Sequence, residues 1–268
     1  MIKKGAVMTV TPYRAGRTIL ALMLSLSFAG CATTGVNTQA EVPPMHSIDK
    51  VRDQRFADVA DPWEGFNRRM YRFNYYFDKY LFLPVVNSYE FITPTYLQER
   101  VSSFYNNIGE VKNLTNSLFQ LKGVESAETL GRFVTNSTVG LGGLFDPATK
   151  FGLERHDEDF GKTLGYWGSG TGPYLVLPVF GPSSLRDAGG LAVDTGITYG
   201  IYMAIDPFSD VNNGYLFDYG ITALDVIDTR HQLSFRYYES GYPFEYYMVR
   251  FLYHEKREIE SGKPLPAE

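Results

Sequence analysis

A mainly α-helical domain with little β is what this 268-residue sequence predicts. Three observations carry that expectation. Apolar residues recur at helical spacing from residue 61 onward, and a glycine-dense stretch between 131 and 200 interrupts them around one short extended segment. A small-residue repeat then runs through an apolar stretch at 188–205. At 44% hydrophobic and 21% charged, the chain is too apolar for disorder and long enough to bury a core. Its 15% aromatic content exceeds what a core ordinarily needs.

The first helix is predicted from Asp61-Pro62-Trp63-Glu64, which offers an N-cap acid, a proline at the first helical position and an acid in the first turn. Trp63, Phe66, Met70, Phe73, Phe77 and Tyr80 follow at alternating spacings of three and four, one face of a helix. Arg68, Arg69 and Arg72 share the segment with Asn67 and Asn74. Periodicity alone fits a core-facing helix with a solvated back. The alternative is a helix lying in a lipid interface, with aromatics at headgroup depth and arginines on phosphates.

Three further amphipathic helices are predicted at 94–107, 111–120 and 124–139. Beyond them 15 of the 26 glycines fall between 131 and 200, concentrated in Gly140-Leu-Gly-Gly143 and Gly165-Tyr-Trp-Gly-Ser-Gly-Thr-Gly-Pro173. Such loops suit tight turns around an opening, and residues 174–180 read as extended. Ala188, Ala192, Gly196, Gly200 and Ala204 then recur every fourth position, a spacing that lets membrane helices approach closely; a glycine-rich core helix is the other reading. Asp194 interrupts this stretch and is expected to face a lumen or cap a helix rather than meet lipid. Helices at 215–227 and 244–259 close the chain.

The N-terminus reads as a signal peptide over 1–30: Lys3, Lys4, Arg14 and Arg17, an apolar run at 19–29, then small residues before the only cysteine, Cys31. Phe28-Ala-Gly-Cys31 resembles a bacterial lipobox, departing from it at Phe28, where leucine is usual. That resemblance implies an acylated Cys31 as the first mature residue, and Ala32 at the next position points to the outer membrane. Residues 31–60 read as a polar tether and 261–268 as a tail. Without residues 1–30 the chain carries 21 basic and 30 acidic residues, a net charge of −9. Its acidity and the lack of a long basic run argue against nucleic acid as a partner.

Catalytic and metal signals fail. Gly161-Lys162-Thr163 ends like a phosphate-binding loop, but His156 stands where the preceding glycine is needed. Gly168, Gly170 and Gly172 lead to Pro173 instead of the last glycine of a dinucleotide fingerprint. His156-Asp-Glu-Asp159 reads as an acidic helix start rather than a cation site. Ser169 lacks the hydrolase elbow, and His46, His156, His231 and His254 are scattered. No cofactor, no metal and no enzymatic activity are expected.

Asp61-Pro-Trp-Glu-Gly-Phe-Asn-Arg68, Gly140-Leu-Gly-Gly-Leu-Phe-Asp-Pro147 and the long block from Asp159 to Asp187 resemble the MlaA (VacJ) family of outer-membrane lipoproteins over about residues 58–260. The resemblance implies a ring-shaped helical protein embedded in the periplasmic leaflet of the outer membrane around an amphipathic channel. It implies removal of phospholipids mislocalised to the outer leaflet and their delivery to the soluble periplasmic carrier MlaC, beside a trimeric porin, maintaining lipid asymmetry. On that basis Cys31 bears the lipid, Trp63, Phe66, Met70, Phe73 and Phe77 hold the domain in the leaflet, and Gly168, Gly170, Gly172, Arg186, Asp187 and Asp194 lie near the channel. A non-transporting envelope scaffold is the alternative.

Overall fold

In a computed structural model of the chain, residues 59–205 and 214–261 are described, all within one compact unit. Cys31, the signal segment and the tether up to residue 58 lie outside the described residues. The architecture is mainly helical. In order come α1 (Glu64–Phe77), a π-helical turn (Asp78–Phe82), α2 (Leu83–Ile92), α3 (Thr95–Phe119), α4 (Gly123–Thr138), α5 (Pro147–Lys150), α6 (Phe160–Tyr166), β1 (Tyr174–Leu177), β2 (Gly181–Ser184), α7 (Leu185–Ile205), α8 (Gly214–Gln232) and α9 (Glu245–Glu260). The two strands form an antiparallel hairpin with Tyr174 opposite Ser184 and Leu177 opposite Gly181.

The expected start at Asp61 moves to Glu64, with Trp63 in the N-cap position and no side-chain cap bond. Asp61 is drawn elsewhere: its carboxyl accepts from Asn67 Nδ2 (2.7 Å), Arg250 Nη1 (3.2 Å) and Tyr246 Oη (2.5 Å), tying the chain before α1 to α9. The break expected between 107 and 111 is absent, because α3 runs through it as a single 25-residue helix. Glu110, in the expected break, belongs to its buried face with Asn107, Asn113, Asn116 and Ser117.

Polarity is inverted throughout. Among the described residues nine apolar side chains are buried, five of them tyrosines, against 28 polar or charged ones. Meanwhile 42 large apolar side chains are exposed. Buried polar groups are the informative class, since each must find a partner or cost several kcal/mol. Most of the buried polar side chains here make at least one bond, although single atoms such as Ser117 Oγ and Asn107 Oδ1 have none, and the bonds that form are the joints between helices. Arg132 on α4 pairs with Glu110 on α3 (2.9 Å) and with Asp146 (2.9 Å), whose carboxyl also caps α5. Asn116 on α3 bonds Asp194 on α7 (2.8 Å) and accepts from Thr163 on α6 (2.9 Å).

Two asparagines seven residues apart attach α1 to the hairpin. The Asn67 amide donates to the Tyr174 carbonyl (3.0 Å) and accepts from Val176 N–H (2.9 Å), as a neighbouring strand would. Asn74 repeats this two turns on, donating to Leu177 O (2.9 Å) and accepting from Val179 N–H (2.7 Å). Both asparagines are buried beside Tyr71, so the inward stripe of α1 is Asn67–Tyr71–Asn74. Trp63, Phe66 and Phe73 of the aromatic stripe are exposed.

The small-residue stripe does not make the close helix approach. Gly196 and Gly200 face open space. Backbones meet instead where Gly190 of α7 crosses Gly161 of α6: a Cβ on Gly190 would lie 2.4 Å from Gly161 N. Between 191 and 204, Asp194 is the only buried residue.

Candidate functional site

Arg186, Asp187 and Asp194, three of the residues expected near a channel, are buried structural partners. Asp187 takes Arg257 on both oxygens (2.9 and 3.0 Å), the Tyr253 hydroxyl (2.7 Å) and Arg186 Nε (3.1 Å). Burial works against its charge, but the Arg257 bonds and charge outweigh that and hold its carboxyl at about 2. Asp159, the N-cap of α6, joins the same Arg257 and is also held below the usual carboxylate range. Asp194 accepts from Phe160 N–H (2.9 Å), so it adds a second cap to α6 from α7. The glycine loop carrying Gly168, Gly170 and Gly172 is exposed, and Arg186 Nη1 fastens it through Ser169 O (3.3 Å).

A cavity of about 430 Å³ opens elsewhere, among the end of α1 and its π-helical turn (Asn74, Phe77, Asp78, Phe82), the hairpin turn (Val179, Phe180, Pro182), the end of α8 with its following loop (Arg230, Leu233, Phe235, Tyr237) and α9 (Val249, Leu252, Tyr253, Lys256). A smaller one of about 270 Å³ adjoins it, lined by Tyr75, Lys79, Leu83, Arg236 and Glu239 and sharing Asp78 and Tyr237. None of the six predicted channel residues lines either one, whereas Phe77 from the predicted embedding face lines the first.

Local structure explains why the cavity is open here. The π-helical turn inserts one residue into the α1–α2 rod just before Pro84, and it places Asp78 inward. Arg230 grips Asp78 through two bonds (2.6 and 2.7 Å) and donates two more, to Leu233 O (2.9 Å) and Phe235 O (3.2 Å). The pair is a closed ionic lock between the rod and α8, and it leaves the adjoining wall apolar. Val179 sits in the left-handed region at φ 71°, where a β-branched residue costs about 1–2 kcal/mol. Asn74 secures it there. Gly181 follows at φ 85°, and a Cβ on it would meet the Tyr237 hydroxyl at 2.8 Å. Burial pushes Tyr237 up to about 12, so it is a neutral wall at neutral pH.

Sequence reading missed Asp78, Arg230, Val179 and Gly181 as a constellation. Their partners are more than 50 residues away or are backbone atoms, and the available signal was a lone acid and a lone arginine inside apolar periods.

Residues 59–260 match the family model described as MlaA lipoprotein. The chain belongs to the MlaA lipoprotein family. This places it in a family of lipoproteins and not of enzymes. The intermembrane phospholipid transport system lipoprotein MlaA of Escherichia coli K12 is 31% identical over 208 residues, covering 76% of this chain and 72% of that protein. An uncharacterised protein of Rickettsia typhi is 36% identical over 209 residues, 77% of this chain and 80% of its own. A chain solved for the structural basis of maintenance of bacterial outer membrane lipid asymmetry matches at TM-score 0.58 and 29% identity, covering 75% of this chain and 99% of that one. Together these support involvement of this MlaA-family member in Mla phospholipid transport.

Proposed function

We propose that this chain is an outer-membrane lipoprotein, anchored through Cys31, that withdraws phospholipids mislocalised to the outer leaflet and passes them to a periplasmic carrier of the MlaC kind. The observation that carries this reading is the inverted polarity: a polar, hydrogen-bonded interior under an exterior with 42 large exposed apolar side chains among the described residues. Water would penalise such a surface, whereas hydrocarbon accepts it. No helix of the described residues is long and apolar enough to cross a membrane. A domain greasy all round yet without a span fits a protein lying in a single leaflet, with Trp63, Phe66, Met70, Phe73 and Phe77 in its embedded surface. Arg68, whose guanidinium lies 4.6 and 4.8 Å from the Tyr246 and Tyr247 rings, belongs to the helix joints, leaving Arg69 and Arg72 on the exposed side for phosphates.

Moving a headgroup through bare hydrocarbon leaves polar groups unpaired, and an amphipathic path lined by protein lowers that barrier without any covalent step. The two adjoining cavities supply the kind of interior such a path needs. A trimeric porin beside the domain would complete its lateral boundary.

The test is delivery of fluorescent phospholipid from proteoliposomes containing the full chain and a trimeric porin to purified carrier. The wild type is expected to deliver lipid, and Cys31→Ala to lose outer-membrane attachment in cells. Delivery no faster than from protein-free liposomes, with attachment intact, would leave the scaffold reading standing and remove this one.

A further inference from the structure

We infer that the 430 Å³ cavity is a subsite for one acyl chain of a phospholipid, with the lipid phosphate at its rim against the Lys256 ammonium; this rests on the transport reading above. Size sets the number of chains. At the ~30 Å³ that a water-sized group occupies in a liquid, the cavity holds about fourteen such groups, the length of one acyl chain and not two.

The lining sets the chemistry. Phe82, Val179, Phe180, Leu233, Val249 and Leu252 offer apolar surface to a chain. The two charges in the wall, Asp78 and Arg230, neutralise each other, and two further Arg230 N–H groups are taken by carbonyls, so this pair offers an anionic head no net charge. Lys256 differs: its side chain is 69% exposed and its contact with Glu260 is a 3.7 Å one, so its ammonium reaches the mouth, where a phosphate would stay hydrated while the tail is buried. The strained Val179 is a second, independent mark. The fold holds a valine at φ 71° through a side-chain acceptor on another element, and that residue lines this cavity. The second chain of a diacyl lipid then lies outside, along the exposed Leu252 and Phe180.

Full-length protein in detergent micelles, incubated with a phosphatidylethanolamine carrying a diazirine near the end of one acyl chain, is irradiated and the labelled residues are found by mass spectrometry. Label is expected on the less exposed cavity residues Phe82 and Tyr253, and to fall about ten-fold in Val249→Trp, which fills the space, but not in Leu191→Trp on exposed α7. Val249→Phe serves if the tryptophan variant unfolds by circular dichroism. A lysophospholipid is expected to compete mole for mole with the diacyl lipid. Lys256→Glu should weaken its competition several-fold while leaving that of an uncharged long-chain alcohol unchanged. Label spread evenly over exposed apolar residues, label unchanged by either Val249 variant, competition by diacyl lipid alone, or indifference of the lysophospholipid to Lys256→Glu would each overturn the subsite. Delivery to carrier, measured on the same preparations, separates the two failures: wild type that delivers lipid without labelling the cavity refutes the subsite only.

Discussion

Replacing Asp194 with leucine tests whether polarity is truly inverted in this fold. By hydropathy the change improves α7, removing the only charged residue from 191–204. By structure it removes the acceptor for two buried donors, Asn116 Nδ2 at 2.8 Å and Phe160 N–H at 2.9 Å. Each donor left unsatisfied costs roughly 1–3 kcal/mol, while burying the leucine returns roughly 1.5–3 kcal/mol. A net loss of about 2 kcal/mol follows, which for a domain of this size lowers the melting midpoint by about 4–8 °C. Asp194→Asn keeps one acceptor oxygen and should lose about half as much. The readout is thermal unfolding in detergent followed by Trp167 fluorescence, in a background with Trp63→Phe. Trp167 reports on the joint because its ring meets Phe160 edge to face at 6.4 Å and its Nε1–H donates to Phe119 O (3.1 Å). A leucine variant melting at or above the wild type would refute the argument that α7 is held by its acid.

Gly190→Ala should destabilise by roughly 2 kcal/mol or more, because its Cβ would strike the Gly161 backbone, whereas Gly196→Ala, facing open space, should gain up to about 1 kcal/mol from helix propensity; denaturant unfolding compares them. Asp187 carries an acid limb of stability. Its folded value of about 2 lies below the ordinary 3.8, so its contribution of about 2 kcal/mol is present above pH 4 and is lost as pH falls towards 2. Asp187→Asn should flatten that limb in unfolding measured across pH, and an unchanged limb would count against the Arg257 cluster. Arg230→Met should cost roughly 3–5 kcal/mol by stranding Asp78, and adding Asp78→Leu should restore most of it, which a double-mutant cycle measures directly.

Helical spacing located α4, α7, α8 and α9 to within a few residues, because a period near 3.6 belongs to the backbone whatever surrounds it. The same spacing left open which face of α1 points inward. In water the apolar stripe turns in, and only the environment, which no single sequence states, reverses the rule. Asn67 and Asn74 therefore looked like part of a polar back, although they are the inward joints to β1. The acidic start of α6 was legible because a cap acts over three residues: Asp159 accepts from Lys162 N–H at 2.8 Å. Asp194 was legible as an acid that faces a lumen or caps a helix, but it was not legible that the helix it caps begins 34 residues earlier.

The sequence by itself determined the helical class, the family, the glycine-rich region with its extended segment and the presence of a costly acid in an apolar helix. Each of these is local or compositional, and short-range physics specifies it. Tertiary structure alone decided that polar side chains are the glue, that Gly190 and Gly161 rather than the regular stripe make the close approach, and that Asp78 meets Arg230 beside a cavity walled by a strained valine. Those arrangements join residues up to 189 positions apart, and their energies depend on burial that exists only once the chain has folded.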